Sequence, residues 1–174
     1  INGCAAIDSV EIEVEGIPPT PVLIPEQFLT CETSQLTVQA TVDPPGPYDI
    51  AWTILSAEGN IVGPTTATLS IQVDQPGTYQ IQLTDQVTGC TSENEVVVGL
   101  DIEDPTAEAG SEQTLTCAAP VVTLNGDGSS VGEPFTYSWA TVTGRSDTLV
   151  AEANTPGIYF LTVTNIRNGC IAVD

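Results

Sequence analysis

The chain has 174 residues, of which 41% are hydrophobic, and its 23 acidic side chains face only two basic ones, Arg145 and Arg167, for a formal net charge of −21. Because lysine and histidine are both absent, a Ser-His, Cys-His or Ser-Lys nucleophile and a lysine Schiff base are excluded, and we predict no catalytic residue. So acidic a surface repels nucleic acid and anionic membranes, and no apolar run approaches the length of a membrane span, so neither nucleic-acid binding nor membrane insertion is expected.

Taken in chain order, the predicted elements are short strands with alternating apolar residues, separated by Pro- and Gly-rich turns. No window shows helical periodicity. The apolar positions are Val10/Ile12/Val14, Leu36/Val38/Ala40, Ile50/Trp52/Ile54, Leu69/Ile71/Val73, Tyr79/Ile81/Leu83, Val96 to Val98, Val122/Leu124, Phe135/Tyr137/Trp139, Leu149/Ala151 and Tyr159/Leu161/Val163. The pattern predicts an all-β chain of tandem immunoglobulin-like β-sandwiches.

An internal repeat of about 85 residues sets the predicted domain boundaries. The segment E-Q-F-L-T-C ending at Cys31 recurs as E-Q-T-L-T-C ending at Cys117, and P-G-T-Y to T-G-C at Cys90 recurs as P-G-I-Y to N-G-C at Cys170. We therefore assign residues 1–15 to the last strand of a preceding repeat, 16–103 to one repeat, and 104–174 to a second that lacks most of its final strand. The chain reads as a window on a longer array.

Two pairs of aromatic residues occupy matching places in the two repeats. Trp52 and Trp139 fall on the third strand of a sandwich, where a large buried residue fills the core. Tyr79 and Tyr159 follow Pro-Gly at the start of the sixth strand, where a corner tyrosine bonds back to the backbone. All four are interpreted as structural.

The motifs P-T-A-E-A-G-S-E-Q-T-L-T-C (105–117), V-T-L-N-G-D-G-S-S (122–130), Y-S-W (137–139) and P-G-I-Y-F-L-T-V-T-N-I-R-N-G-C (156–170) resemble the immunoglobulin-like or PKD-like repeats of giant secreted surface proteins from Bacteroidetes-type bacteria. The W-D-F-G-D-G segment usual in PKD domains is replaced here by W-T-I-L-S-A-E-G and W-A-T-V-T-G. The resemblance implies export to the cell surface and a role in adhesion, gliding or surface appendages.

Five cysteines at regular repeat positions imply an oxidising, extracellular setting. Pairing within a unit would join Cys31 to Cys90 and Cys117 to Cys170. In an immunoglobulin-like sandwich, however, these residues lie at opposite ends, and a disulfide needs Cα atoms within about 7 Å. The first-to-second-strand turn of one unit would instead face the sixth-to-seventh-strand turn of the next. The preferred pairing is therefore Cys31 with Cys170 across the joint, which leaves Cys4, Cys90 and Cys117 for units outside this chain.

No cofactor is required by the pattern, but calcium is a candidate. Asp101, Glu103 and Asp104 lie where one unit passes into the next, and clustered carboxylates suit a hard cation. Solvated acidic surface is the competing interpretation.

Two functions remain open from the sequence. The first is a non-catalytic structural module that forms the stalk or filament body of a large extracellular adhesion protein, with neighbouring repeats, or other copies in a filament, as partners. The alternative is an adhesin module that binds a glycan or a protein through loops such as 55–66 or 125–134.

Overall fold

The computed structural model describes residues 3–12, 16–141 and 144–174, and in these ranges the chain forms strands and turns without a helix. No helix in the described part is therefore long and apolar enough to span a membrane. The strands of the first sandwich lie between Thr20 and Asp101, and those of the second between Val122 and Val173. Both sets fall inside the predicted repeats.

The first sandwich consists of two four-stranded sheets. Its strands are β1 (Thr20–Leu23), β2 (Gln27–Thr30), β3 (Leu36–Asp43), β4 (Tyr48–Ile54), β5 (Ile61–Val62), β6 (Ser70–Val73), β7 (Gly77–Asp85) and β8 (Thr91–Asp101). One sheet has the order β1-β3-β6-β5 and the other β2-β8-β7-β4. β1 runs antiparallel to β3, whereas β2 runs parallel to β8, so the first edge strand is divided between the two sheets. This is an immunoglobulin-like arrangement.

The core of the first sandwich follows the predicted alternation. Along β7, Tyr79, Ile81 and Leu83 are fully buried, and the residues between them are half-buried. Trp52 is 3% exposed and donates its indole N–H to the carbonyl of Thr68 at 2.9 Å. Packing of one apolar face of each sheet against the other accounts for the fold.

The second sandwich is built in the same way but with fewer paired strands. It contains β9 (Val122–Asn125), β10 (Phe135–Thr141), β11 (Gly144–Ser146), β12 (Val150–Ala153), β13 (Phe160–Asn165) and β14 (Ile171–Val173). The sheets have the orders β11-β10-β13-β14 and β12-β9. Trp139 is 1% exposed, and its indole N–H donates to the carbonyl of Leu149 at 3.2 Å. Each tryptophan therefore ties its own strand, β4 or β10, to the residues just before a strand of the facing sheet, β6 or β12.

Residues 106–109, which align with β1, form no strand. Their backbone bonds instead to the loop after β9: the Thr106 N–H donates to Ser130 Oγ and the Glu108 N–H to Ser129 Oγ, both at 2.9 Å. The residues that align with β2 also form no strand, because β2 pairs with the last four residues of β8, whereas β14 ends at Val173.

The segment before the first sandwich differs from the prediction. Residues 3–12 form no strand, and Val10 and Ile12 are more than four-fifths exposed; Val14 lies outside the described residues. A final strand pairs with the strand before it, as β8 does with β7. In the described part of the chain, residues 3–12 form no ladder with another strand, and alternation alone does not hold a strand together.

Both predicted corner tyrosines bond back to the backbone. Tyr79 Oη donates to the carbonyl of Gln75 at 2.6 Å and accepts the Asn60 N–H at 3.0 Å. Tyr159 Oη donates to the carbonyl of Thr155 at 2.7 Å. The two hydroxyls therefore fix the same turn in both units, but only that of Tyr79 also binds a second loop.

We expect Tyr79→Phe to destabilise the first sandwich more than Tyr159→Phe destabilises the second. The first change removes the hydroxyl partner of backbone groups in two loops, at Asn60 and Gln75, and the second removes that of Thr155 alone. Each lost part-buried hydrogen bond costs about 0.5–1.5 kcal/mol. Urea unfolding of each single variant measures the difference. Equal losses would contradict the role of the Asn60 bond.

The turn between β7 and β8 is capped by the carboxylate of Asp85, which is a titratable group. Asp85 Oδ1 accepts the backbone N–H groups of Val87 and Thr88 at 2.8 and 2.9 Å. These bonds, first that of Thr88 and then that of Val87, hold the pKa of the Asp85 carboxyl below its usual value. In the second unit Asn165 takes this place, and its side-chain oxygen accepts the Arg167 N–H at 3.0 Å.

Because its folded pKa is lowered, the contribution of Asp85 to stability is present above its unfolded pKa and is lost as pH falls through the folded one. We expect Asp85→Asn to remove this part of the pH dependence while keeping an acceptor, as Asn165 does. Urea midpoints of both proteins between about pH 5 and about pH 2 measure it. Parallel pH profiles would show that the carboxylate has no such role.

Candidate functional site: the disulfide-bonded joint

The joint between the two sandwiches is closed by a disulfide between Cys31 and Cys170, whose Cα atoms lie 5.0 Å apart. Cys31 follows β2, in the turn that leads to β3, and Cys170 immediately precedes β14. The bond therefore joins the turn at one end of the first unit to the turn at the facing end of the second. This is the pair that the topological argument favoured, and neither in-unit pair is formed.

A buried asparagine completes the joint beside the disulfide. Asn168 is 1% exposed, and its amide group donates to Asp101 Oδ1 at 2.8 Å and to the carbonyl of Glu103 at 3.1 Å. Its side-chain oxygen accepts the Cys170 N–H at 3.0 Å. The bonds of this one side chain run to the end of β8, to the linker and to the disulfide, so they hold the second unit's turn against the chain leaving the first. A satisfied buried amide fixes one geometry because any displacement would leave polar groups unpaired.

Close approach of the two turns also requires glycine at position 169. Gly169 has a φ of 73°, and a Cβ there would lie 2.6 Å from the Cβ of Glu32. Glycine adopts this left-handed conformation without cost and leaves the space that Glu32 occupies. Asn168, Gly169 and Cys170 thus supply, at successive positions, the amide that bonds to the linker, the space that Glu32 occupies and one sulfur of the disulfide.

The turn of Cys170 is reproduced around Cys90 at the other end of the molecule. The Asp85 N–H donates to the Cys90 carbonyl at 2.9 Å, as the Asn165 N–H does to the Cys170 carbonyl at the same distance. Cys90 is a half-buried free thiol. It stands in the place that Cys170 holds at the joint.

The turn of Cys31 is reproduced in the same way around Cys117. The Thr33 N–H donates to Thr30 Oγ1 at 3.0 Å, and the Ala119 N–H donates to Thr116 Oγ1 at 2.9 Å. Cys117 is an exposed free thiol. The pairing of Cys4, Cys90 and Cys117 with further units stays a prediction.

The linkers that enter the two sandwiches also resemble each other. Pro19 and Pro105, at equivalent positions, are both buried. A Cβ on Gly16 would lie 2.9 Å from the Thr88 side chain, so the entering chain passes the turn of Cys90 as the chain at Glu103 passes that of Cys170. The upstream end of the first unit therefore has the shape of half a joint.

The acidic residues of the linker are placed differently from a shared ligand set. In the described ranges, the one group of three or more acidic or cysteine residues whose ligand atoms lie within 4.8 Å of one another consists of Asp104, Cys31 and Cys170, without Asp101 or Glu103. Both sulfurs belong to the disulfide and offer no thiolate to a metal. Asp101 is already bonded to Asn168.

The loops named for ligand binding serve the sandwiches themselves. In 55–66, Asn60 bonds to Tyr79 and to Asp74 Oδ1, and in 125–134 the buried Ser129 bonds to Glu108. A cleft of about 530 Å³ in the second unit lies elsewhere, between residues 109–115 and the pair Trp139 and Tyr159. Trp139 is buried, so it offers no face for a sugar to stack on.

Sequence reasoning missed Asn168 as a member of the joint. In the sequence Asn168 belongs to the repeated turn, where asparagine is common because its side chain bonds locally. Its partner Asp101 lies 67 positions away, and Thr88 occupies the matching place in the first unit. That difference between otherwise similar turns is the signal that could have identified it.

No family model matches this chain. Among solved structures, the PKD domain from human KIAA0319 aligns with 60% of this chain and 99% of its own, at 13% identity and a TM-score of 0.42. The DIP-gamma fragment IG1+IG2 aligns with 91% of this chain and 95% of its own, at 10% identity and a TM-score of 0.39. Drosophila OTK, extracellular domains 3–5, aligns with 86% of this chain and 57% of its own, at 11% identity and a TM-score of 0.36. The fold itself rests on the strand order and the two buried cores described above.

Proposed function

We propose that this chain is a non-catalytic structural repeat module in the stalk or filament body of a large extracellular surface protein. The observation that carries the proposal is the Cys31–Cys170 disulfide, which bonds two consecutive sandwiches to each other instead of stapling one of them internally. A bond of this kind persists outside the cytosol, which supports a location at the cell surface. It restricts the angle between units, as a stalk that must hold its end away from the cell requires.

The partners in this proposal are further units of the same kind. Cys90 and Cys117 lie in turns that repeat the two halves of the closed joint. The preceding unit would bond to Cys90 and the following unit to Cys117, with Cys4 bonding one unit further upstream. In this proposal, adhesion and filament assembly are functions of the whole surface protein and not of this module by itself.

Mass spectrometry of a non-reduced digest of the native surface protein tests the bonding pattern. We expect the Cys31–Cys170 peptide, together with peptides that join Cys90 and Cys117 to cysteines of other repeats. Electron micrographs of the intact particle should then show a rod of regular beads. Free thiols at Cys90 and Cys117 in the native protein, or a Cys31–Cys90 peptide, would contradict the proposal.

Calcium binding at the linker, through Asp101, Glu103 and Asp104, stays a proposal, and it requires these three carboxylates to turn toward one ion. Binding would favour the folded form and raise the melting temperature with calcium concentration. A thermal melt with and without millimolar calcium measures this, with magnesium as the control. An unchanged midpoint counts against a site.

A further inference from the structure

The Cys31–Cys170 disulfide encloses nearly the whole of both sandwiches. The bonded cysteines are 139 positions apart, and the loop between them runs from β3 to β13. Outside the loop lie β1 and β2 on one side and β14 on the other. Among the described residues of the two buried core clusters, Leu29 alone lies outside the loop.

We propose that the disulfide diverts axial tension away from the bodies of both sandwiches. Force applied at the two ends of the chain reaches Cys31 through β1 and β2, crosses the S–S bond to Cys170, and leaves through β14. When this chain is pulled at its ends, the covalent path is closed at that bond, so the peptide chain from β3 to β13 lies outside the loaded covalent path. The inference rests on the proposed stalk function for its biological meaning, but its mechanics follow from the connectivity alone.

The elements left on the loaded path are short edge strands. β2 pairs in parallel with β8 over Gln27 to Thr30, and β14 pairs with β13 over Ile171 to Val173. Leu29, which is 2% exposed, anchors β2 in the core. When these strands detach, the extension stops at the disulfide, and the remaining strands of both units keep their pairing.

Single-molecule pulling on the whole two-unit chain, with handles at its two ends, tests this directly. The Cα atoms of Cys31 and Cys170 lie only 5.0 Å apart when folded. Opening the 139-residue loop therefore releases almost its full contour, about 470 Å. We expect this length to be absent from traces of the oxidised protein and to appear when a reducing agent is added to the same tethered molecules.

The Cys31→Ser/Cys170→Ser variant should show the added length without a reducing agent. The Cys90→Ser/Cys117→Ser variant is the matched control, because it keeps the loop closed and should behave as the oxidised parent. Should the first variant not fold, reduction of the parent during pulling supplies the same comparison. Release of the full loop length by the oxidised parent would overturn the proposal.

This outcome is separate from the fate of the stalk function. A closed loop in the pulling trace with free Cys90 and Cys117 in the native protein would retain the diversion of tension and reject the bonded array. Release of the full loop length by the oxidised chain, together with beaded rods in micrographs, would reject the diversion of tension and retain the stalk function.

Discussion

Replacing Trp139 by alanine is expected to unfold the second sandwich while the first stays folded. Among the residues that the structure describes, the buried cluster of the second unit has four members, Trp139, Ala151, Leu161 and Val163, against eleven in the first. Removing a fully buried tryptophan costs about 3–5 kcal/mol, which is comparable to the whole stability of a small domain. The loss also leaves the carbonyl of Leu149 without its indole donor.

The two units can be followed separately in this variant. Trp52 is then the only remaining tryptophan, so its fluorescence reports on the first sandwich, while amide hydrogen exchange of β10 and β13 reports on the second. Phe160→Ala is the matched control. Phe160 pairs with Ala140 on the same sheet but is half exposed, and we expect a loss of about 1 kcal/mol or less. Protected amides in β10 after Trp139→Ala would show that this side chain does not organise the core.

Removing the disulfide with the Cys31→Ser/Cys170→Ser variant is expected to destabilise the chain by about 5 kcal/mol. By the loop-entropy relation, a bond that closes 139 residues restricts the unfolded chain strongly. For a chain of this size, such a loss lowers the melting temperature by about 10–20 °C. Each sandwich keeps its own core, so we expect two separate transitions in place of a coupled one.

The same variant should loosen the joint in solution. The bonds of Asn168 to Asp101 and Glu103 remain, but polar contacts alone resist bending less than a covalent bond. Small-angle scattering should therefore give a broader distribution of lengths than for the parent or for Cys90→Ser/Cys117→Ser, which keeps the bond. Identical scattering curves for all three would mean that the polar contacts suffice to set the angle.

The sequence predicts a strand correctly where one face of the strand packs in the core and the other does not. Tyr79, Ile81 and Leu83 alternate with polar residues and are all buried, because a strand in the middle of a sheet with one core face requires this pattern. The sequence does not predict the edge strands β1 and β5. β1 contains Pro21, and β5 has only two residues, so pairing with a neighbour, which the sequence does not display, decides their existence.

The joint was predictable as far as repeat symmetry and sandwich topology reach. Repeat symmetry and sandwich topology place the turns of Cys31 and Cys170 at facing ends of neighbouring units. This placement predicts that the two cysteines lie within bonding distance. The buried Asn168 does not follow, because a local turn residue and a long-range structural one share the same sequence. The sequence also does not predict the absence of a strand at 106–109. It arises because backbone N–H groups of this segment bond to the side chains of Ser129 and Ser130 instead of to a neighbouring strand.

The bond between Cys31 and Cys170 also changes what a protease can achieve. A single cut anywhere between these residues leaves both ends of the chain attached to each other through the sulfurs. If further units bond through Cys90 and Cys117 in the same alternating manner, two covalent routes run the length of the array, one through every second linker and the other through the linkers between. A structure so connected would survive cleavage at any single peptide bond, as the proposed extracellular stalk would need to do where hydrolases can reach it.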